Sequence, residues 1–340
     1  MREKEARTLY DIFVGTNSVR GSRGIYTLRL TDAGVPSIAH THLAYNAGYL
    51  ALDGARLFAV SEGMTFQGLA SGGVTAYAIA PDGSLTETGS RPTGGQRPCC
   101  LCAGTNEVWV SNFYGGLCPV YPVTPDGAIE PARMVIDEPP LPGLPKALHC
   151  VGLLPDGRTV GVVSLSQMAL LLYDTKTGAR RAAYAPADGR HPRHFAPSPD
   201  GHLLYLLMQE PAEIHVLAWD GAALALRQIV PLDDAPLVLG ASAVRVSPDG
   251  RYVLAAVRDT AALHILRVSG DTLAPAGQVQ LPGDVPRDFA FTPDGRFVVA
   301  ALQYSDRISV HRFADGTLTQ CAVLDGVPSP ASIVIREALT

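Results

Sequence analysis

Charge is scarce in this sequence. Asp, Glu, Lys and Arg together make up 17% of 340 residues, and the formal net charge is only −5. Nothing basic is gathered into a stripe or patch, so nucleic acid is not an expected partner. Long apolar runs are missing as well. None approaches the roughly 18 residues that a membrane-crossing helix needs, so no membrane partner is expected either. The opening MREKEARTLYDIF carries charge without an apolar region behind it. That pattern reads as a chain without a secretory signal, working in the cytoplasm. Uninterrupted stretches suited to long helices are also lacking, because 34 Gly and 27 Pro punctuate the chain. Such punctuation points to many short strands joined by turns. The hydrophobic share of 47% is high enough to bury a large core and excludes a disordered chain.

Six cysteines are present: Cys99, Cys100, Cys102, Cys118, Cys150 and Cys321. Without a secretory signal they do not read as a disulfide framework. Neighbouring cysteines on a strand point to opposite faces, so the cluster at 99–102 is a poor chelator. Buried free thiols are the expectation, with no metal and no cofactor.

What the sequence does contain is a repeat. Pro-Asp-Gly occurs six times, beginning at residues 81, 125, 155, 199, 248 and 293. The last four copies share a longer frame: HCVGLLPDGRTVGVVS, HFAPSPDGHLLYLLMQ, VRVSPDGRYVLAAVR and FAFTPDGRFVVAAL. Each reads as a short strand, a tight turn and a second apolar strand. Pro and Asp suit the early turn positions, and Gly accepts the positive φ near its end. Degenerate copies, GYLALDGARLFAVSE and CCLCAGTNEVWVSN, come earlier in the chain. The copies at 81 and 125 come after apolar strands and read as turns late in a unit. Turn positions 54, 105, 157, 201, 250 and 295 set a period of about 44 to 52 residues, the length of a four-stranded propeller blade. Third strands come next, such as QMALLLYD and EIHVLAWD. A seventh unit assembles from LYDIFVGT and GIYTLRL at the front and PASIVIREAL at the back. The expectation is therefore an all-β, seven-bladed propeller spanning 1–340 as one domain. N- and C-terminal strands share one blade, which closes the ring and removes its open edges.

The repeat also predicts where function sits. Residues before the first strand and after the second lie at the same end of a hairpin, opposite its turn. Ring closure gathers those ends around one mouth of the central channel. His149, Arg193, Glu210, Arg258, Arg287 and Gln303 hold such positions, as do Asn46, Glu62 and Asn112. A mouth with several Arg, a His and carboxylates suits an anionic ligand, because Arg grips a carboxylate or phosphate with two parallel hydrogen bonds. The plainer alternatives are an Arg193–Glu210 salt bridge that locks one blade, a structural His149, and Asn112 and Gln303 that serve loop backbone. Asp288 is placed to absorb the charge of Arg287. His194 comes directly after Arg193, and strand alternation turns it away from the side of Arg193.

Several motifs, in order, resemble the seven-bladed propeller lactonases of the 6-phosphogluconolactonase type and the carboxymuconate cycloisomerase that shares their fold. They are FVGTNSVRGSRGIYTLRL, NAGYLALDGARLFAVSE, GGQRPCCLCAGTNEVWVSNFYGG, PRHFAPSPDGHLLYLLMQE and PRDFAFTPDGRFVVAALQYSD. The resemblance implies a small anionic lactone or carboxylate as substrate, with a phosphorylated sugar lactone as the default. It implies catalytic roles for His149, Arg193, Glu210 and Arg258. Glu62, Asn112, His194, Arg287 and Gln303 are expected to bind substrate. Arg193 and Arg258 would hold the anion or the developing oxyanion, and His149 or Glu210 would activate water. At three places where the family carries polar groups this chain has Cys100, Ala147 and Ala243. Lactone hydrolysis, cycloisomerisation and a non-catalytic binding propeller all remain open at this point.

Overall fold

The computed structural model describes residues 8–54, 56–187, 190–233 and 237–339. The charged opening, residues 1–7, lies outside that set. Seven four-stranded antiparallel sheets stand in a ring, as the repeat predicts. Blade 1 draws on both ends of the chain. Pro330–Glu337 is its innermost strand, followed outward by Thr8–Thr16, Gly24–Thr31 and Pro36–Leu43. Blade 2 runs Leu50–Asp53, Arg56–Ser61, Gly73–Ile79 and Leu85–Pro92. Blade 3 runs Gln96–Gly104, Glu107–Tyr114, Leu117–Pro122 and Met134–Asp137. Blade 4 is Leu148–Leu153, Thr159–Ser164, Ala169–Asp174 and Arg180–Tyr184. Blade 5 is Pro192–Pro197, Leu203–Met208, Glu213–Trp219 and Leu224–Pro231. Blade 6 is Ala241–Val246, Tyr252–Val257, Ala262–Ser269 and Thr272–Gln280. Blade 7 is Pro286–Phe291, Phe297–Leu302, Arg307–Ala314 and Thr317–Asp325. No helix among the described residues is long and apolar enough to cross a membrane.

Second strands carry the core. LLYLLM, YVLAAV and FVVAAL are buried at every position, because neighbouring blades cover both of their faces. Outer strands such as Thr272–Gln280 are mostly exposed. Blades 4 and 5 pack through the ring of Phe195, which lies against Gly161. A Cβ there would stand 2.5 Å from Phe195 Cζ, so only glycine allows that approach.

The Pro-Asp-Gly turns obey their chemistry. The Asp carboxylate accepts the backbone N–H two residues on, at 2.9 Å for Arg158, 3.1 Å for His202, 3.0 Å for Arg251 and 3.1 Å for Arg296. Gly157, Gly201, Gly250 and Gly295 take the left-handed conformation that ends each turn. The turns at 81 and 125 sit between third and fourth strands, late in their blades.

A buried ion pair spans the seam that closes the ring. Asp11 and Arg336 face each other across the two strands that join the chain ends in blade 1. Arg336 donates to Asp11 Oδ2 from Nε at 3.2 Å and from Nη2 at 3.0 Å, and the Asp11 side chain is fully buried. Arg29 Nε stands 3.6 Å from Asp11 Oδ1, so loss of Arg336 leaves the buried carboxylate with one weaker cationic partner and two lost hydrogen bonds. Arg336→Ala is therefore expected to cost about 1–3 kcal/mol, read as a lower urea midpoint with the fold retained at zero denaturant. A midpoint equal to wild type would mean that the strand ladder and apolar contacts close the ring without this pair.

Candidate active site

On five blades the inner strand carries one residue more than its partner, at the same level of the channel. The register skips His149 between Leu148 and Cys150, and Arg193 between Pro192 and His194. It skips Ser242, Arg287 and Cys99 in the same way in blades 6, 7 and 3. In blade 1 the skipped residue is Ala331, on the innermost strand. A bulge turns its extra residue out of the ladder and re-aims the side chain. Proline precedes four of the six, at Pro98, Pro192, Pro286 and Pro330, where its missing N–H costs the ladder least.

The bulged side chains meet in one place. His149, Arg193, Arg287 and Cys99, with Glu62, line both a cavity of about 470 Å³ at the mouth and a chamber of about 20 Å³ beneath it. The chamber is the size of a single water. Arg193 is buried and heavily used. Its Nε donates to the Ser242 carbonyl at 3.0 Å, and its Nη1 donates to Gln209 Oε1 at 2.7 Å and to His149 Nε2 at 2.9 Å. Those bonds engage three of its five N–H groups and leave both on Nη2 for a ligand. Because the guanidinium can only donate, His149 accepts at Nε2 and carries its proton on Nδ1. Burial, then the charges of Arg193, Arg287 and Arg258, hold the His149 pKa well below 6.5. His194 is held down in the same way, by burial first and then Arg193. Arg193 is itself pushed down by burial and by the like charges of Arg287 and Arg258. Four arginines, Arg97, Arg193, Arg258 and Arg287, line the mouth cavity against one carboxylate, Glu62. Such an imbalance favours an anion.

The structure places the sequence candidates unequally. Arg287 is the freest cation of the group. It makes no hydrogen bond or ion pair with any described residue, because Asp288 is taken by Arg245 at 2.7 Å and by the Ile333 N–H at 3.0 Å. Glu62 lines the site, with Arg97 Nη2 at 2.7 Å and Asn17 Nδ2 at 3.4 Å. His194 corrects the alternation argument. The bulge at Arg193 resets the alternation, and the His194 ring sits 5.2 Å from that of His149 over the channel. Glu210 is also corrected. It is exposed at the end of its hairpin, and the neighbouring Gln209 meets Arg193 in its place. Arg258 lines the cavity, but its Nε and Nη2 clamp the carbonyls of Leu239, Gly240 and Ala241. Asn112 is fully buried and spent on Thr93 and on the Leu117 carbonyl, so it lies outside the cavity. Gln303 likewise stays outside and holds Asn17 Oδ1 at 2.7 Å.

Sequence reasoning missed Asn17, Arg97 and Gln209, and the apolar lining of Phe113, Tyr114, Leu144, Pro145, Leu165 and Met168. The one available signal was the residue just past each second strand, which is Gln209 in blade 5 and Leu165 in blade 4. Among the described residues no group of three His, Cys, Asp or Glu is placed to hold a metal. Cys99 donates to the carbonyls of Leu148 and His149, and burial pushes its thiol far up, which makes it a poor nucleophile. Cys100 lies deeper, 3.7 Å from Cys150 between Sγ atoms.

Residues 11–335 match the family profile described as Lactonase, 7-bladed beta-propeller. The 6-phosphogluconolactonase of Bacillus subtilis is 28% identical over 306 residues, covering 84% of this chain and 85% of that protein. Among solved structures, the periplasmic gluconolactonase of Pseudomonas aeruginosa superposes with a TM-score of 0.87 at 26% identity, covering 96% of this chain and 99% of the other. A protein from Lactobacillus plantarum, 24% identical, has a TM-score of 0.88 over 96% of this chain and 99% of its own, which shows the shared fold.

The paired histidines tie stability to pH. A histidine held neutral in the fold takes up a proton near pH 6.5 only when the chain unfolds. Its contribution is complete above about pH 6.5 and shrinks as pH falls toward the depressed folded-state value, by up to about 1.4 kcal/mol per pH unit for each histidine. Unfolding free energies from urea titrations should therefore fall between pH 6.5 and pH 5, and His194→Gln should flatten that slope. Equal slopes in wild type and variant would mean that His194 is protonated in the fold.

Proposed function

Because this chain belongs to the seven-bladed β-propeller lactonase family, we propose that it hydrolyses a lactone bearing a carboxylate or phosphate at the mouth of the channel. The observation that carries the reading is Arg287, unpaired, beside the two free Nη2 donors of Arg193. In this reading Arg287 takes the anion of the substrate. Arg193 Nη2 donates to the lactone carbonyl oxygen and more strongly to the oxyanion that forms when water adds to the carbonyl carbon. Water gives up a proton as it attacks, the ring C–O bond breaks, and the departing alkoxide takes a proton to become the hydroxyl of the product acid.

The carboxylate placed to receive the proton from water is Glu62, which takes the part that the resemblance assigns to Glu210. His149 acts as a positioning residue. Its Nε2 lone pair is held by Arg193, so it fixes the guanidinium that faces the oxyanion and does not itself serve as the base. Arg258 shapes the loop at 239–241 and adds positive potential. Substrates are expected to be anionic, because a neutral lactone would leave the guanidinium cluster without a counter-charge.

Acid release from freshly made 6-phosphogluconolactone, above its spontaneous rate, tests this directly. Arg193→Ala is expected to lose about 10²-fold or more in kcat, and Glu62→Gln about 10²- to 10⁴-fold. Arg287→Ala should act mainly through KM, raising it about tenfold or more as a lost charge-assisted contact. Wild-type rates in Arg193→Ala and Arg287→Ala together would remove the site from the reaction.

A further inference from the structure

The repeat allows equivalent positions around the mouth to be compared. In blades 3 to 7 the inner-strand residue just before the bulge pairs with Asn112, Ser164, Met208, Val257 and Leu302. The next residue in each blade is Phe113, Leu165, Gln209, Arg258 and Gln303. Three adjacent blades thus offer polar side chains in this slot, and the other two offer an aromatic ring and an aliphatic chain. A second slot repeats the contrast. The residue before the third strand has a positive φ in blades 4, 6 and 7, at Met168, Ala261 and Asp306. Turn chemistry there favours Gly, Asn or Asp, so it does not explain a methionine. Met168 does line the cavity. Leu144 and Pro145, on the connection between blades 3 and 4, complete this side with Tyr114. Their loop is held in place, with the Leu141 N–H on the Ser166 carbonyl at 2.9 Å and the Leu144 N–H on the Leu141 carbonyl at 3.0 Å.

The mouth is therefore two-sided. Arg193, Arg258 and Arg287 lie toward blades 5 to 7, and a preformed apolar wall lies on blades 3 and 4, where Arg97 stands over Tyr114 with its charge held by Glu62 at 2.7 Å. We propose that the natural substrate is an amphiphilic lactone whose anion faces Arg287 and whose apolar, ring-sized substituent lies on the wall of Phe113, Leu165 and Met168. This rests on the lactonase reading and narrows it. A polyhydroxylated lactone would press hydroxyls against Phe113, Leu165 and Met168, whose side chains offer no good hydrogen-bond partner in exchange for the water lost. A cavity of about 470 Å³ has room for such a substituent beside the lactone ring.

Three probes test it: 6-phosphogluconolactone, a γ-butyrolactone carboxylate, and the same carboxylate bearing a phenyl group. In wild type the phenyl group should raise kcat/KM at least about tenfold over its parent, the gain of filling an apolar pocket, and place it above the sugar phosphate. Leu165→Gln, which installs the blade 5 residue type, and Met168→Asn, which suits a left-handed turn position, should each reduce the gain to about threefold or less. Circular dichroism and thermal unfolding confirm that both variants are folded. No phenyl gain in wild type, or the sugar phosphate as best substrate, overturns the proposal and leaves the lactonase reading standing. If wild type opens none of the three, calorimetry with the ring-opened hydroxy acids decides. Tighter binding of the phenyl acid that Met168→Asn abolishes upholds the wall and removes the lactonase reading. Equal binding of the two acids overturns the wall.

Discussion

An inner strand with one residue too many must turn that residue out of the ladder, and the whole site depends on that constraint. In a regular strand, alternate residues would face the two neighbouring blades, where they would be buried in the core. The bulge releases His149, Arg193 and Arg287 from that alternation at one common level and aims them along the channel. The backbone on either side stays paired, so the side chains are held by sheet and not by loop. A site carried on strands in this way keeps its geometry without a ligand to organise it.

The same device creates the site's main cost. Burial first, and then the like charge of Arg287, pushes Arg193 well down and Arg258 down to about 10. Two neutral histidines lie beside them. No single feature of the site offsets this. The offset comes from the second strands, whose unbroken apolar runs pack between blades at positions such as Leu206, Leu254 and Val299. In the proposed mechanism, the fixed positive potential that results is what a developing oxyanion would meet, with no reorganisation needed when it forms. His149 fits this logic as a neutral acceptor. A protonated imidazole at 2.9 Å from Arg193 would repel the group it now holds.

The fold was legible because period and turn chemistry repeat. Six Pro-Asp-Gly triplets and the fully apolar second strands leave little choice of architecture, and the terminal segments read correctly as one shared blade. The rim was legible for the same reason: hairpin ends fall on one side whatever the side chains are. The inward-turning side chains were harder to read. Counting by two from Arg193 sends His194 the wrong way, since one extra residue inverts every later assignment. Counting to the end of the next strand chose Glu210 over Gln209 for a similar reason, a shift of a single residue. The Pro-x pairs at 98, 192, 286 and 330 marked the bulges in the sequence, but only the strand register shows that the residue after each proline leaves the ladder.

The departures from the family pattern look different once placed in the fold. Cys100 and Ala243 are buried, at 1% and 0% exposure, and do not line the mouth cavity. Polar groups replaced there change the channel interior without altering the surface that a substrate meets at the mouth. Ala147 is different, because it does line the cavity, beside the loop of Leu144 and Pro145 and across from Leu165. Its backbone is already satisfied, with the amide donating to Ser166 Oγ at 2.6 Å and the carbonyl accepting from that hydroxyl at 3.1 Å. Alanine stands there where the resemblance implies a polar group, and its methyl adds to the apolar lining. Ala147, Phe113, Leu165 and Met168 line one side of the cavity, facing Arg193, Arg258 and Arg287, and in the proposed reading that division, built from equivalent positions of a repeat, sets specificity.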